Sequence, residues 1–311
     1  MGSQHLEYVY LSDISGDFRF RDIAFQIRNI LNTTNKPNGL YMTMMDTGNG
    51  EWNDNRSTLG ALGDSFYEYL IKAYIQSGKR DKMALKMYLN AMEAIEKNGM
   101  IQKSKRSNLV YLAEWALGKT NQKMQHLTCF AGGMYALGSG NVNPLNSSIS
   151  KKHMELAANL TETCYQSYKR TPTQLGPESF YFDDIDDATS QYGDYYILRP
   201  EVIESYFIMW RLTHDERYRK YAWEAAQAIQ RHCRTGNGYS GIENVMVNPS
   251  HKDNSQQSFF LAETLKYLYL IFSNDKLIPL DKWVFNTEAH PLPICGANHA
   301  YPSKLCSVID H

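Results

Sequence analysis

Apolar residues recur at helical spacing along nearly the whole chain. Segments 17–33, 64–77, 81–98, 124–138, 151–170, 200–213, 216–233 and 258–273 are read as helices. The helices come in pairs: one ends in a short polar turn, and a second, more amphipathic helix returns. EYVYLSDIS turns at Gly16-Asp17 into FRFRDIAFQIRNIL, and FYEYLIKAYIQ turns at SGKRD into KMALKMYLNAMEAIEK. MQHLTCFAGGMYALG is followed by KKHMELAANLTETCYQSYKR, and EVIESYFIMWRL turns at THDE into RYRKYAWEAAQAIQRH. FFLAETLKYLYLIF is left unpaired. Repeated antiparallel pairs predict an all-α fold, either a solenoid or an αα-barrel. The connections favour the barrel. NGLYMTMMDTGNGEWNDNRSTLGALG and GNGYSGIENVMVNPSHKDNSQQ are long and rich in Gly, Pro and Asn, and such connections usually carry function.

Composition narrows the function classes. Lys plus Arg is 32 and Asp plus Glu is 33, a net charge of −1 that gives no bulk attraction to nucleic acid or anionic membrane. No run approaches the roughly 20 apolar residues of a membrane span. MGSQHLEYVYLSD lacks the basic-then-apolar order of a signal peptide. The cysteines, Cys129, Cys164, Cys233, Cys295 and Cys306, show no CxxC spacing, which disfavours zinc-ribbon and thioredoxin readings. Asn32, Asn55, Asn146 and Asn159 open glycosylation sequons, a weak pointer to the secretory pathway.

Five stretches place acidic or polar groups where a loop meets a helix. In LGALGDSFYEYL, Asp64 caps a helix beginning at Ser65, with Glu68 in its first turn; an ordinary N-cap explains Asp64 equally well. In TQLGPESFYF, Pro177 suits the first turn of a short helix and would hold Glu178 at its positive end, which is ordinary dipole complementation. In LRPEVIESYFIMW, Glu201 and Glu204 share one face of an apolar helix and call for a polar cavity or a partner such as Arg199. In SQQSFFLAETLKYLYLIF, Phe259 and Glu263 are four apart, an aromatic beside an acid as in sugar sites, although an aromatic stripe is more often core. VFNTEAHPLP holds Thr287, Glu288 and His290. A lone histidine is more often structural than ligating, and zinc needs more His or Cys than this chain supplies at workable spacing. Oxygen-rich surroundings suit a hard cation better. Paired carboxylates without a nucleophilic Ser or Cys or a P-loop point to glycoside hydrolysis.

GDSFYEYLIK, HLTCFAGG, LTETCYQ, LGPES, LRPEVIES, QQSFFLAETLKYLYLIFS and VFNTEAHPLPI follow one another in this order. Together they closely resemble the class I α-1,2-mannosidases, glycoside hydrolase family 47, from about His5 to Ile294. The Leu-Gly-Asp-Ser-Phe form around Asp64 looks more like the Golgi branch than the endoplasmic-reticulum branch. The resemblance implies an (αα)7 barrel, bound calcium, and removal of α-1,2-linked mannose from high-mannose N-glycans with inversion. It implies catalytic roles for Asp64, Glu178 (as a proton donor) and Glu201 (as the general base). Thr287 would ligate calcium through backbone and side-chain oxygens. Glu204, Glu263 and Glu288 would lie near calcium-bound waters and sugar. His126, Arg199 and Phe259 would line the substrate pocket, and Cys129 and Cys164 would form a disulfide. The enzyme is expected to act as a monomer in the secretory pathway, in the Golgi lumen first and the endoplasmic reticulum second, without nucleic acid. Membrane attachment would come only through an anchor that this chain lacks.

Four helix pairs and one further helix are counted where the resembled fold has seven pairs. Residues 1–294 are therefore expected to be the C-terminal part of a catalytic domain, followed by a non-family tail, 295–311, in which Cys295 and Cys306 are free to pair. The acid that usually serves the leaving group would lie upstream of Met1, and the chain alone is expected to be inactive. Two other readings stay open: a non-catalytic lectin that recognises mannose-rich glycans in quality control, and a helical-repeat scaffold. The scaffold leaves the loop-borne acids unexplained.

Overall fold

The structure is a computed structural model that describes residues 2–142, 147–185, 187–190 and 192–301. Asn146 and Cys306 lie outside the described residues. Among these residues there are nine α-helices, which form the four pairs and one further helix read from the periodicity. No helix among them is long and apolar enough to cross a membrane. The chain separates into two compact units.

The first unit contains Met1–Thr58, Leu62–Asn98 and the segment from Asp275. Its elements, numbered along the chain, are α1 His5–Ser15, α2 Arg19–Thr33, β1 Arg56–Ser57, α3 Asp64–Gln76 and α4 Lys82–Lys97. It also holds the hairpin of β8 Trp283–Phe285 and β9 Pro291–Pro293. α3 is buried continuously from Tyr67 to Gln76 and packs against α1, α4 and β8. α4 shows the one-sided pattern of a partner helix, burying Ala84, Met87, Tyr88, Ala91 and Ile95. Asp81 caps α4 by accepting from Ala84 N at 3.0 Å.

Asp81 also anchors a buried polar cluster. Arg28 Nη2 lies 2.6 Å from Asp81 Oδ2, and Arg28 Nη1 lies 3.0 Å from His5 Nε2. Burial, then the Arg28 charge, holds the His5 pKa well below 6.5. The folded protein therefore refuses a proton that the unfolded chain accepts below pH 6.5. Stability, followed as a urea midpoint, is expected to fall as pH drops below 6.5 toward the lower folded pKa, and the His5→Gln variant is expected to flatten that slope. An unchanged slope in the variant would assign the pH dependence to other groups.

The second unit comprises Leu59–Ala61 and Gly99–Asn274. Its helices are α5 Phe130–Asn141, α6 Ser148–Lys169, α7 Glu201–Thr213, α8 Glu216–His232 and α9 Leu265–Phe272. Three antiparallel strand pairs accompany them: β2 Ile101–Lys103 with β3 Val110–Leu112, β4 Glu114–Ala116 with β5 Lys119–Asn121, and β6 Lys123–Gln125 with β7 Ser179–Tyr181. α5 packs on α6 and α7, and α7 on α8 and α9. Gly132 makes the α5 contacts possible, because a Cβ there would sit 2.4 Å from Thr161 Oγ1 on α6 and 3.0 Å from Ser205 Oγ on α7. Ser205 Oγ accepts from Gly133 N at 2.8 Å and donates to the Cys129 carbonyl at 2.5 Å. Cys129 and Cys164 are joined in a buried disulfide between the turn before α5 and the middle of α6.

Three local readings are corrected. Segment 124–138 begins as strand β6 and a 3-10 turn, His126–Cys129, because Met124 pairs with Phe180 across a ladder that a local period does not register. Glu178 leads into strand β7 instead of opening a short helix. Helix α3 begins at Asp64 itself, after Gly63, and the Asp64 carboxylate accepts from Ser65 N at 2.8 Å. Gly63 is required there, since a Cβ would lie 2.0 Å from the Thr58 carbonyl oxygen.

Candidate active site

In the second unit, most of the predicted groups gather around the start of α7. Tyr196 is held by reciprocal backbone bonds with Ile242 at 3.0 and 2.9 Å. Leu198 follows with φ 68, a strained value for a non-glycine residue, and its carbonyl accepts from Thr264 Oγ1 at 2.7 Å. This kink delivers Arg199 just ahead of α7 and Glu201 to its first turn. Arg199 grips Glu178 with a two-pronged fork, Nε to Oε2 at 2.5 Å and Nη2 to Oε1 at 2.7 Å. Its third nitrogen, Nη1, stands 3.7 Å from Glu201 Oε1. Burial opposes the Arg199 charge, but Glu178 and Glu201 outweigh it and raise its pKa. The guanidinium also lies over the Phe259 ring, 5.9 Å from its centroid.

His126 completes the grip on Glu201. Its Nδ1 is 2.8 Å from Glu201 Oε2, and its Nε2 is 2.7 Å from the Tyr168 hydroxyl. Tyr168 packs edge-on against Tyr196 in turn, with ring centroids 6.0 Å apart. The His126 backbone N–H donates to the Glu178 carbonyl at 2.9 Å, tying the two segments at their main chains. Burial pushes the Glu201 carboxyl up. The His126 hydrogen bond and charge, Arg199 and a backbone N–H together outweigh it, so Glu201 is held below 4.5. Burial first pushes both Tyr168 and Tyr196 well above 10, with Tyr196 the next cause for Tyr168 and the Cys233 thiol the next for Tyr196, so both hydroxyls keep their protons.

Glu204 sits half-buried one turn along α7, and Glu263 is buried in a turn of π-helix, Phe260–Thr264, ahead of α9. The wider winding of that turn displaces the simple four-residue spacing assumed for Phe259 and Glu263; such turns recur at functional sites.

The first unit holds the remaining residues. Asp64 is half-buried at the start of α3, and Glu68 is buried and paired with Lys72 one turn on. Thr287 and the exposed Glu288 and His290 lie in the turn between β8 and β9. Thr287 N–H donates to the Tyr69 hydroxyl at 3.2 Å. Among the described residues, nothing donates a hydrogen bond to the Thr287 carbonyl or hydroxyl oxygen. No group of three or more His, Cys, Asp or Glu among them is arranged to hold a metal. Two disengaged hard oxygens on one residue fit calcium, which takes about six to eight oxygen ligands and accepts water among them.

Sequence reasoning missed Tyr168 and Tyr196, which nothing distinguishes among 22 tyrosines. It also missed Asn286, Tyr69 and Glu7 around Thr287. Asn286 had a usable signal, an Asn opening a turn between two extended runs.

A family model, Glycosyl hydrolase family 47, matches residues 1–294. The chain is 51% identical over 299 residues to mannosyl-oligosaccharide 1,2-alpha-mannosidase IA of Sus scrofa, covering 96% of this chain and 45% of that protein. It is 50% identical over 295 residues to mannosyl-oligosaccharide 1,2-alpha-mannosidase IB of Homo sapiens, covering 94% and 45%. Among solved structures, alpha-1,2-mannosidase from Trichoderma reesei superposes with a TM-score of 0.85 at 31% identity, covering 94% of this chain and 65% of that one. The chain thus spans about half the length of the curated relatives it matches.

Proposed function

The chain belongs to glycosyl hydrolase family 47, and we propose on that footing that it serves in the calcium-dependent hydrolysis of terminal α-1,2-linked mannose on high-mannose N-glycans. The observation that carries this reading is the Glu201 carboxylate, half-buried at the start of α7 and fixed between His126 and Arg199. A carboxylate held ionised and oriented is suited to take a proton from water. That is the general-base role in an inverting glycosidase, where water attacks the anomeric carbon from the face opposite the leaving oxygen.

The neighbours take supporting roles. His126 orients Glu201. Arg199 is aligned by Glu178, and Phe259 offers an apolar ring face to a sugar. Glu178 is better suited to this alignment than to proton donation, since both its oxygens accept from Arg199. Asp64 is retained as a further catalytic acid, and Glu204, Glu263 and Glu288 as groups for sugar hydroxyls and ordered water. Thr287 would hold calcium through its carbonyl and hydroxyl oxygens. When bound, the ion supplies a hard cation that orients vicinal sugar hydroxyls. The buried Cys129–Cys164 bridge suits an oxidising compartment, in line with action in the secretory pathway, the Golgi lumen first.

The test is to incubate a full-length protein carrying this chain with a high-mannose N-glycan and follow released mannose by proton NMR. Release is expected as the β-anomer, lost on chelation with EGTA and restored by calcium. Release as the α-anomer, or release indifferent to the chelator, would sink the mechanism. Glycan binding without any release would favour the lectin reading instead.

A further inference from the structure

We propose that Glu7 and Tyr69 are positioning residues: they hold the Thr287 turn by its N–H and so leave the Thr287 carbonyl and hydroxyl oxygens free for a hard divalent cation. The inference rests on the calcium reading above and adds to it the groups that prepare the ligand.

A threonine in a tight turn ordinarily spends its hydroxyl on nearby backbone. Here Asn286 does that work in its place. Its Oδ1 accepts from Glu288 N at 3.0 Å and from His290 N at 2.7 Å. Its backbone N–H donates to the His290 carbonyl at 3.0 Å, and its carbonyl accepts from Ala289 N at 3.1 Å. Ala289 closes the turn with φ 56. The turn is thereby satisfied internally without any oxygen of Thr287.

The remaining polar group, Thr287 N–H, leaves the turn and meets Tyr69 OH on α3. That hydroxyl donates to Glu7 Oε1 on α1 at 2.5 Å, and Asn286 Nδ2 donates to the same oxygen at 2.8 Å. One carboxylate oxygen therefore anchors both ends of the arrangement, through charge-assisted bonds that are the stronger kind. Glu7 Oε2 is buried and accepts no hydrogen bond among the described residues, so nothing else competes for the anchor. Residues 218 and 279 positions apart in sequence are joined at this one turn.

The Tyr69→Phe variant removes the hydroxyl and keeps the buried ring; Glu7→Gln keeps an acceptor and removes the charge. Calcium affinity is measured by isothermal titration, and hydrogen exchange of the Thr287 amide is measured without calcium. Outer partners of a metal ligand typically change affinity by about 10- to 100-fold. Tyr69→Phe is expected to weaken calcium binding by about tenfold or more. It should also speed exchange at Thr287 while the calcium-free thermal midpoint changes little. Glu7→Gln should shift both readouts in the same direction by less. If Tyr69→Phe binds calcium as the unaltered protein does, the positioning role is overturned and the calcium reading survives. If the unaltered protein binds no calcium, both fall together. A lowered thermal midpoint with unchanged affinity would reduce the network to packing and overturn the inference.

Discussion

In a full-length protein carrying this chain, replacing Glu201 by glutamine is expected to lower kcat for mannose release by about a hundred- to ten-thousandfold, the range for loss of a positioned general base. The KM should change little, because the amide keeps the shape and can still accept from His126. The pH profile provides a second check. Glu201 is held below 4.5, so the unaltered protein keeps its base ionised into acid. Removing the imidazole in His126→Phe withdraws its hydrogen bond and charge from Glu201 and should move the acidic limb upward. Retention of full activity in Glu201→Gln would remove this residue from the chemistry and require another base.

Loss of the disulfide is the second large expected effect. With Cys129 and Cys164 both changed to alanine, stability by urea denaturation under non-reducing conditions is expected to fall by about 4 kcal/mol. That figure follows from loop-closure entropy for a separation of 35 residues. The bridge ties the turn before α5 to α6, where Gly132 already allows close approach. A loss below about 1 kcal/mol would mean that the helix packing alone constrains this loop.

The helices were legible because their burial follows the 3.6-residue period, as in α8, where Tyr218, Ala222, Ala225 and Ile229 form the buried face. The three-residue strands were not, because Met124 against Phe180 is a partnership across 56 residues that no local period encodes. The individual acids at the site were legible through their motifs. Their mutual arrangement was not: His126 and Glu201 are 75 residues apart, and only the folded chain shows that one fixes the other. The same holds for Tyr168, whose role follows from contact with His126 and from no feature of its own sequence neighbourhood.

The exposed apolar side chains bear on how this protein behaves in solution. Ile23 and Ile30 on α2, Trp223 on α8, and Tyr269 and Phe272 on α9 are exposed within their units. A net charge of −1 and an isoelectric point near 6.8 supply little mutual repulsion at neutral pH. Sticky faces with almost no charge to keep molecules apart make colloidal stability poorest close to neutrality. Moving a few tenths of a pH unit changes little, whereas a clearly alkaline buffer restores a repulsive net charge.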